Sequence, residues 1–150
     1  MDLRQALVTA VYARLTTDAT LKALSILPGE GVGTVRMVNG MPPPDTKFPY
    51  LTHRFVLETG ACWAFAEGDW LLDFWDEATS SDRLLAIRHR VITLMDKLLL
   101  EPPGGEAVVV QIGLVRDEDG VTDSADVYRL MTQWKMHLDR QVEIEAILAR

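Results

Sequence analysis

Alternation of apolar and polar residues in the stretch VYRLMTQWKMHLD, residues 127–139, constrains the fold more than any other feature of the chain. Neighbouring side chains of a β-strand point to opposite faces of a sheet, so alternation over this length indicates a long, half-buried strand. Such a strand needs partners at its edges and a layer that covers its apolar face. We expect that face to carry Tyr128, Leu130, Trp134, Met136 and Leu138, opposite Arg129, Gln133, Lys135 and His137.

Other segments with the strand period supply the partners of this strand. Leu51, His53 and Phe55 share one face of a second predicted strand, and Trp70, Leu72 and Phe74 share one face of another. The strands predicted besides 127–139 are 34–38, 50–58, 61–66, 70–75 and 107–117, with a turn at Glu67-Gly68-Asp69.

Helical periodicity predicts two helices at the start of the chain and one between the strands. The opening stretch has an apolar stripe at three- to five-residue steps, and Thr17 or Asp18 can cap a short second helix that Pro28 and Gly29 end. Ser80, Ser81 or a Thr79/Asp82 pair can cap the third helix. The stripes are Leu3, Leu7, Val8, Val11, Tyr12 and Leu15 in the first helix, and Leu84, Ile87, Val91, Leu94, Met95, Leu98 and Leu99 in the third, before Pro102.

Together these elements predict an α+β fold. We expect a mostly antiparallel sheet of about four to six strands, with an N-terminal helix and one long central helix packed on one face. The whole chain, residues 1–150, forms one domain in this interpretation. A flexible Gly/Pro-rich arm spans about 29–49, and a tail spans about 140–150.

Composition excludes several classes of protein. The net charge of −7 argues against a surface that holds nucleic acid by neutralising phosphates. No apolar run approaches the roughly 20 residues of a membrane span, and the opening residues are not typical of a signal peptide. Cys62 is the single cysteine, so an internal disulfide or cysteine-based zinc site is ruled out, and we expect a reducing compartment.

An acidic cluster in DWLLDFWDEATSSDR is the first candidate for catalysis or metal binding. Asp69 and Asp73 lie on one face of a predicted strand, where they could bracket a bond or a metal. Asp69 also fits the turn, Asp76 and Glu77 fit a connecting loop, and Asp82 fits the start of a helix, where negative charge is favourable. Turn, loop and helix-start chemistry therefore accounts for all of them except Asp73.

The remaining motifs are weaker. The acidic turn Asp117-Glu118-Asp119-Gly120, with Asp123 and Asp126, lacks the ligand spacing of a calcium loop and predicts a hairpin turn. Gly29, Gly31 and Gly33 are not followed by the lysine and helix of a phosphate-binding loop. The three histidines, His53, His89 and His137, lie on three separate predicted elements, which does not favour a metal site. We therefore predict no catalytic residue, no cofactor and no metal.

Surplus apolar surface predicts assembly instead. Trp63, Trp70 and Trp75 fall on predicted strands whose two faces are both partly apolar, and aromatic residues are favoured interface anchors. The domain could also cover both faces itself. The same reasoning applies to the tail, whose apolar residues are Val142, Ile144, Ile147 and Leu148.

The order of elements resembles the tail terminator, or tail completion, proteins of long-tailed phages and related gene transfer agents. The resemblance covers most of residues 1–140. It rests on the helix LRQALVTAVYARL with DATLKAL after it, the Gly/Pro-rich arm, FPYL, a strand that ends in DFW, the helix SSDRLLAIRHRVITLMDKLL, and DVYRL after an acidic turn.

The resemblance implies a structural protein of the virion and no enzyme. Family members form a ring, commonly a hexamer, that caps the head-proximal end of the tail tube and joins it to a head-closure or connector protein. The implied partners are other copies of this chain, the tail-tube protein, the connector side, and double-stranded DNA that passes through the lumen without specific binding; no membrane is involved. Assembly would take place in the host cytoplasm. The alternatives are a stopper, a connector adaptor or another minor tail protein, and then a binding module outside any virion.

Overall fold

The computed structural model describes residues 3–58, 65–77, 81–100, 108–120, 122 and 126–140. These residues contain three helices and six strands. The helices are α1 (Leu3–Thr16), α2 (Ala19–Leu24) and α3 (Asp82–Met95). The strands are β1 (Met37–Asn39), β2 (Tyr50–Glu58), β3 (Phe65–Glu77), β4 (Leu99–Leu100), β5 (Val108–Asp119) and β6 (Val127–Arg140). The α+β prediction is confirmed.

The six strands form one sheet in the order β1-β2-β3-β6-β5-β4. All neighbours are antiparallel except β1 and β2, which pair in parallel over three residues. The two longest strands, β3 and β6, lie side by side in the middle and pair from Phe65↔Asp139 to Glu77↔Val127. The stretch with the clearest alternation in the sequence is therefore a central strand of the sheet.

The core lies between one face of this sheet and the helices. On β6 the buried residues are Leu130, Thr132, Trp134 and Met136, as the alternation predicts, and those of β3 include Trp70, Leu72 and Phe74. The helices contribute buried residues to the same cluster: Leu7, Val11, Leu15, Leu21, Leu84, Ile87, Val91 and Met95.

One carboxylate joins two of the helices. Asp18 is the N-cap of α2, where its Oδ2 accepts a hydrogen bond from the Leu21 N–H at 3.0 Å. The same side chain accepts two bonds from the Arg90 guanidinium of α3, at 2.8 and 3.1 Å. The hydrogen bond from Arg90 lowers the pKa of Asp18, so the pair stays charged over the ordinary pH range.

The predicted turn at residues 67–69 is wrong. Glu67, Gly68 and Asp69 lie within β3, paired with Glu58, Leu57 and Val56 of β2 on one side and with β6 on the other. Pairing on both edges keeps these residues extended, so the tertiary context overrides the local turn preference.

The prediction of one long central helix is not confirmed, because α3 has 14 residues, the same number as α1. The helix ends where Asp96 becomes extended and Lys97 adopts a left-handed backbone with φ 61°. Asp96 Oδ1 accepts a hydrogen bond from the Leu114 N–H at 2.8 Å, which joins the end of the helix to β5. Leu98 and Leu99 fit the apolar stripe, but Leu99 belongs to β4.

One arginine in the arm, residues 29–49, bonds to the chain near both ends of the arm. The Arg36 guanidinium donates hydrogen bonds to the carbonyl oxygens of Lys47 and Pro49, at 3.0 and 3.1 Å, and of Ser25, at 3.0 Å. Gly33 packs so closely against α2 that an added Cβ would lie 1.7 Å from the Lys22 carbonyl oxygen. The predicted strand 34–38 is shorter and later, at Met37–Asn39. The flexibility of the arm stays a prediction.

A buried ion pair connects the end of β3 to the start of α3. Asp76 is fully buried and accepts hydrogen bonds from Arg83 Nε at 2.8 Å and Nη2 at 2.7 Å. These bonds raise the pKa of the Arg83 guanidinium. The expectation that Asp76 and Glu77 lie in a loop is wrong, since both belong to β3.

We predict that Arg83→Met destabilises the protein by about 3 kcal/mol, because it leaves a buried carboxylate without its cation. Arg88→Met, on the same helix, is the control. Its pair with Asp117 is longer, 3.9 Å, and more exposed, so we expect a loss below about 1 kcal/mol. Urea unfolding followed by circular dichroism measures both, and equal losses would contradict the assignment of a structural role to Asp76.

A buried histidine makes stability depend on pH. His53 is 3 % exposed, and its Nδ1 accepts a hydrogen bond from the Trp70 indole N–H at 3.1 Å. Burial lowers the pKa of His53 to about 4, so the native ring is neutral. In the unfolded chain the ring titrates near its ordinary value of about 6.5.

Between these two pKa values the unfolded state binds a proton that the native state does not, so stability falls as the pH is lowered through this window. We predict that the wild type loses roughly 2 kcal/mol more than His53→Gln between pH 7 and pH 5. Glutamine retains an acceptor for Trp70 but does not titrate. His89→Gln, on the exposed side of α3, should follow the wild type in the same urea titrations; parallel pH profiles for all three proteins would show that His53 is not the cause.

Candidate assembly surface

The sheet face turned away from the helices, here called the outer face, is polar and apolar in patches. Along β3 it carries Asp69, Leu71, Asp73 and Trp75, all half-buried, as the period of two predicts. Two cross-strand rows run over it from β2 to β5. They are Thr52, Asp73, Met131 and Glu118, and Arg54, Leu71, Gln133 and Arg116.

An aromatic and ionic cluster occupies one end of the outer face. The Trp75 ring stacks on Tyr50 at 6.0 Å between centroids, and its indole N–H donates to Thr52 Oγ1 at 3.0 Å. The Arg129 guanidinium lies 4.7 Å above the Trp75 ring and donates to Asp73 Oδ2 at 2.6 Å. Burial raises the pKa of the Tyr50 phenol, so this cluster carries one cation, one anion and two neutral rings at neutral pH.

Gly120, after β5, lets the chain pass close to Arg129. Its N–H donates to the Arg129 carbonyl oxygen at 2.7 Å, and an added Cβ would lie 2.6 Å from the Arg129 side chain. The glycine of the predicted Asp-Gly turn thus lies beside the aliphatic part of the arginine that pairs with Asp73.

Weaker ion pairs follow along the same face. Lys135 Nζ lies 3.6 Å from Asp69 Oδ1, and His137 Nδ1 lies 3.3 Å from Glu67 Oε1, a contact that is an ion pair only when the imidazole is protonated. Three of the five carboxylates in DWLLDFWDEATSSDR therefore lie beside cations of β6 or α3: Asp69, Asp73 and Asp76. Asp82, as expected, lies in the first turn of α3.

A groove of about 490 Å³ crosses the outer face. Its floor consists of Leu71, Asp73, Met131 and Gln133 on the two central strands. Met41 and Pro42 in the arm form one side, and residues of β5 after its bulge form the other. Met41 is 90 % exposed beside this floor.

Cations outnumber anions in the groove, although the chain as a whole is acidic. Arg129 and Arg116 are each paired with a carboxylate, Asp73 and Glu118. Arg54, on β2, is exposed and has no ion pair among the residues that the structure describes. The groove therefore carries one net positive charge in a protein whose total is −7.

Other sequence candidates are separated in space. His53 is in the core, His89 is on α3 and His137 is on β6. Among the described residues, no three histidine, cysteine, aspartate or glutamate side chains are grouped in a way that could hold a metal ion. Asp117 to Asp119 of the acidic turn belong to β5, while residue 123 lies outside the described part of the chain.

The predicted interface residues have different positions. Trp70 is fully buried in the core, so its proposed role as an interface anchor is corrected to packing. Trp75 is half-buried at the end of the groove and stays a candidate. Trp63, and Val142, Ile144, Ile147 and Leu148 of the tail, lie outside the described residues.

The sequence interpretation missed Arg54, Arg129 and Met41 as components of one surface. The period of two places Arg54 and Arg129 on the polar face of their strands, but it does not reveal that the strands are brought together with Asp73 and Trp75. The strand order β2-β3-β6 does so.

This chain is similar in fold to chains of solved structures. No protein-family model matches the chain, and no curated protein matches it. A chain from the virion of a native gene transfer agent particle matches with a TM-score of 0.70 and 20 % identity, over 90 % of this chain and 96 % of that one. The two chains share a fold.

A second solved chain is similar at a TM-score of 0.61 and 13 % identity, over 90 % of this chain and 94 % of that one. Both matches extend over nearly the whole of each chain. In the described residues, no helix has the length and apolar character needed to cross a membrane.

We predict that Asp73→Asn lowers the free energy of unfolding by about 1–2 kcal/mol, because it removes the charge that Arg129 binds at 2.6 Å. Asp69→Asn on the same strand face is the control, with an expected loss of a few tenths of a kcal/mol, since Lys135 is 3.6 Å away. Urea denaturation of the purified variants measures the difference. A stable Asp73→Asn protein would contradict the structural role of the pair.

Proposed function

We propose that this chain is a structural virion protein that forms a ring on the head-proximal end of a phage-like tail tube. In this role the ring ends tube polymerisation and connects the tail to the head. The proposal includes no enzymatic activity, and the acidic residues act through packing and charge.

The observation that carries the proposal is the likeness to a chain of a gene transfer agent virion, over 90 % of this chain. The element order from which the sequence resembles tail terminators supports the same conclusion.

Charge suits a ring through which DNA passes. A hexamer of subunits with −7 each would carry about −42, and a surface of one sign repels a polyanion of the same sign. Such a ring lets DNA slide without holding its phosphates.

The shape of the subunit suits a closed ring of identical contacts. A ring needs a heterologous interface, in which two different patches of the subunit meet. The described sheet ends in unlike strands, β1 on one side and β4 on the other, and its groove lies on the outer face. Neighbouring subunits can therefore make a contact that is not self-complementary.

Two measurements test the proposal. We predict that the purified protein, 16.8 kDa per chain, gives a particle of about 100 kDa by light scattering if six copies close the ring. Added in small amounts to polymerising tube protein from the same particle, it should shorten the tubes and appear at one end of each by electron microscopy. An unrelated acidic protein at equal concentration is the control.

Unchanged tube length would contradict the proposed role as a tail terminator. Binding to the connector instead of the tube would identify a stopper or connector adaptor, which is the second candidate function for a structural virion protein. A monomer that binds neither would leave only a module outside the virion.

A further inference from the structure

We propose that the groove on the outer face receives the tail, residues 140–150, of a neighbouring copy of this chain. This inference rests on the proposed ring, and it identifies the contact that links one subunit to the next. No residue of the groove is needed for catalysis or for binding a small molecule in this scheme.

The groove offers apolar surface that the described chain does not cover. Leu71 and Met131 lie on its floor, Trp75 is at one end and Met41 projects from the side. Met41 is 90 % exposed beside these half-buried apolar residues, and a flexible methionine of this kind can adapt to a second segment.

Charge selects an acidic occupant. Arg54 is exposed on the groove and has no ion pair in the described part of the chain, while Arg116 and Arg129 each have a carboxylate partner. A segment that brings apolar side chains and one or two carboxylates therefore complements the groove in both respects.

The tail has this composition. Its sequence QVEIEAILAR alternates Val142 and Ile144 with Glu143 and Glu145 before a second apolar group, Ile147 and Leu148. In an extended conformation, one side of such a segment is apolar and the other is acidic. The apolar side can contact the floor while a carboxylate reaches Arg54.

Distance favours a neighbour over the same chain. The groove ends at Gln133 on β6, and Arg140 lies seven residues further along the strand, roughly 23 Å away. To return in cis, the chain must reverse direction, and Val142 and Ile144 are then within about 13 Å of Arg140. Val142 and Ile144 therefore cannot reach the groove of their own subunit, so a groove that holds these two residues belongs to a neighbouring subunit.

Insertion of a tail into the next groove is a heterologous contact, because the donor segment and the acceptor surface differ. Repeated with a constant rotation, it closes a ring in which each subunit both gives and receives a tail. The main ring contact would then join the tail of one subunit to the outer face of the next.

Disulfide cross-linking in the full-length protein tests the inference, in a Cys62→Ser background. One protein carries Ile144→Cys and a second carries Met41→Cys. We expect that mixing the two under oxidising conditions gives a covalent dimer, and that the double variant gives a ladder up to the closed ring. Leu85→Cys on the opposite, helical side is the matched control for Met41→Cys and should give no dimer with Ile144→Cys.

Arg54→Glu is expected to raise the concentration at which the ring dissociates by roughly tenfold, while Lys97→Glu on the helical side leaves it unchanged. An intrachain disulfide in the double variant, without a ladder, would overturn the inference. So would rings by light scattering with no dimer on mixing, and the proposed function would then still stand. A covalent dimer on mixing, together with unchanged tube length, would support the tail contact and contradict the capping role.

Discussion

Two indole rings that face each other across the central strands are the constraint on which the rest of the structure depends. Trp70 of β3 and Trp134 of β6 are register partners, both fully buried, with ring centroids 5.5 Å apart. Each indole N–H has an acceptor, His53 Nδ1 for Trp70 and Thr132 Oγ1 for Trp134. Without these acceptors, burial of two polar N–H groups would cost more than the contact between the rings contributes.

The pairing of these strands gives the sheet two faces, a core side and the outer face. On the core side it brings Leu72, Phe74 and Met136 against the helices, which holds the fold together. On the outer face the same register brings Asp73 near Arg129 and sets Trp75 under the guanidinium. A shift of one residue would exchange the two faces, so the stability of the core also determines the chemistry of the groove.

The sequence predicts the faces of the strands and helices more accurately than it predicts where those elements end. Strand β2 occupies the predicted residues, and the burial of Leu130, Trp134 and Met136 follows their period. The turn at 67–69 and the continuation of α3 to Leu99 were wrong, because pairing on both edges of β3 and the bond from Leu114 N–H to Asp96 are contacts between residues far apart in sequence. Of the candidate surface, the sequence located Trp75 and Asp73 on one strand face, while Met41 and Arg54 belong to it only through the fold.

By itself, the amino-acid sequence determined the α+β class, the faces of the central strands and the acidic total charge, since these follow from local period and composition. It also contains no recognisable catalytic motif. The tertiary structure alone decided that Trp70 is core and Trp75 is surface, that Asp76 pairs with Arg83, and that a positively charged groove forms on an acidic protein. The physical reason is that periodicity tells which side of a strand a residue faces, whereas the strand order and the helix layer tell which side becomes buried and which residues meet there.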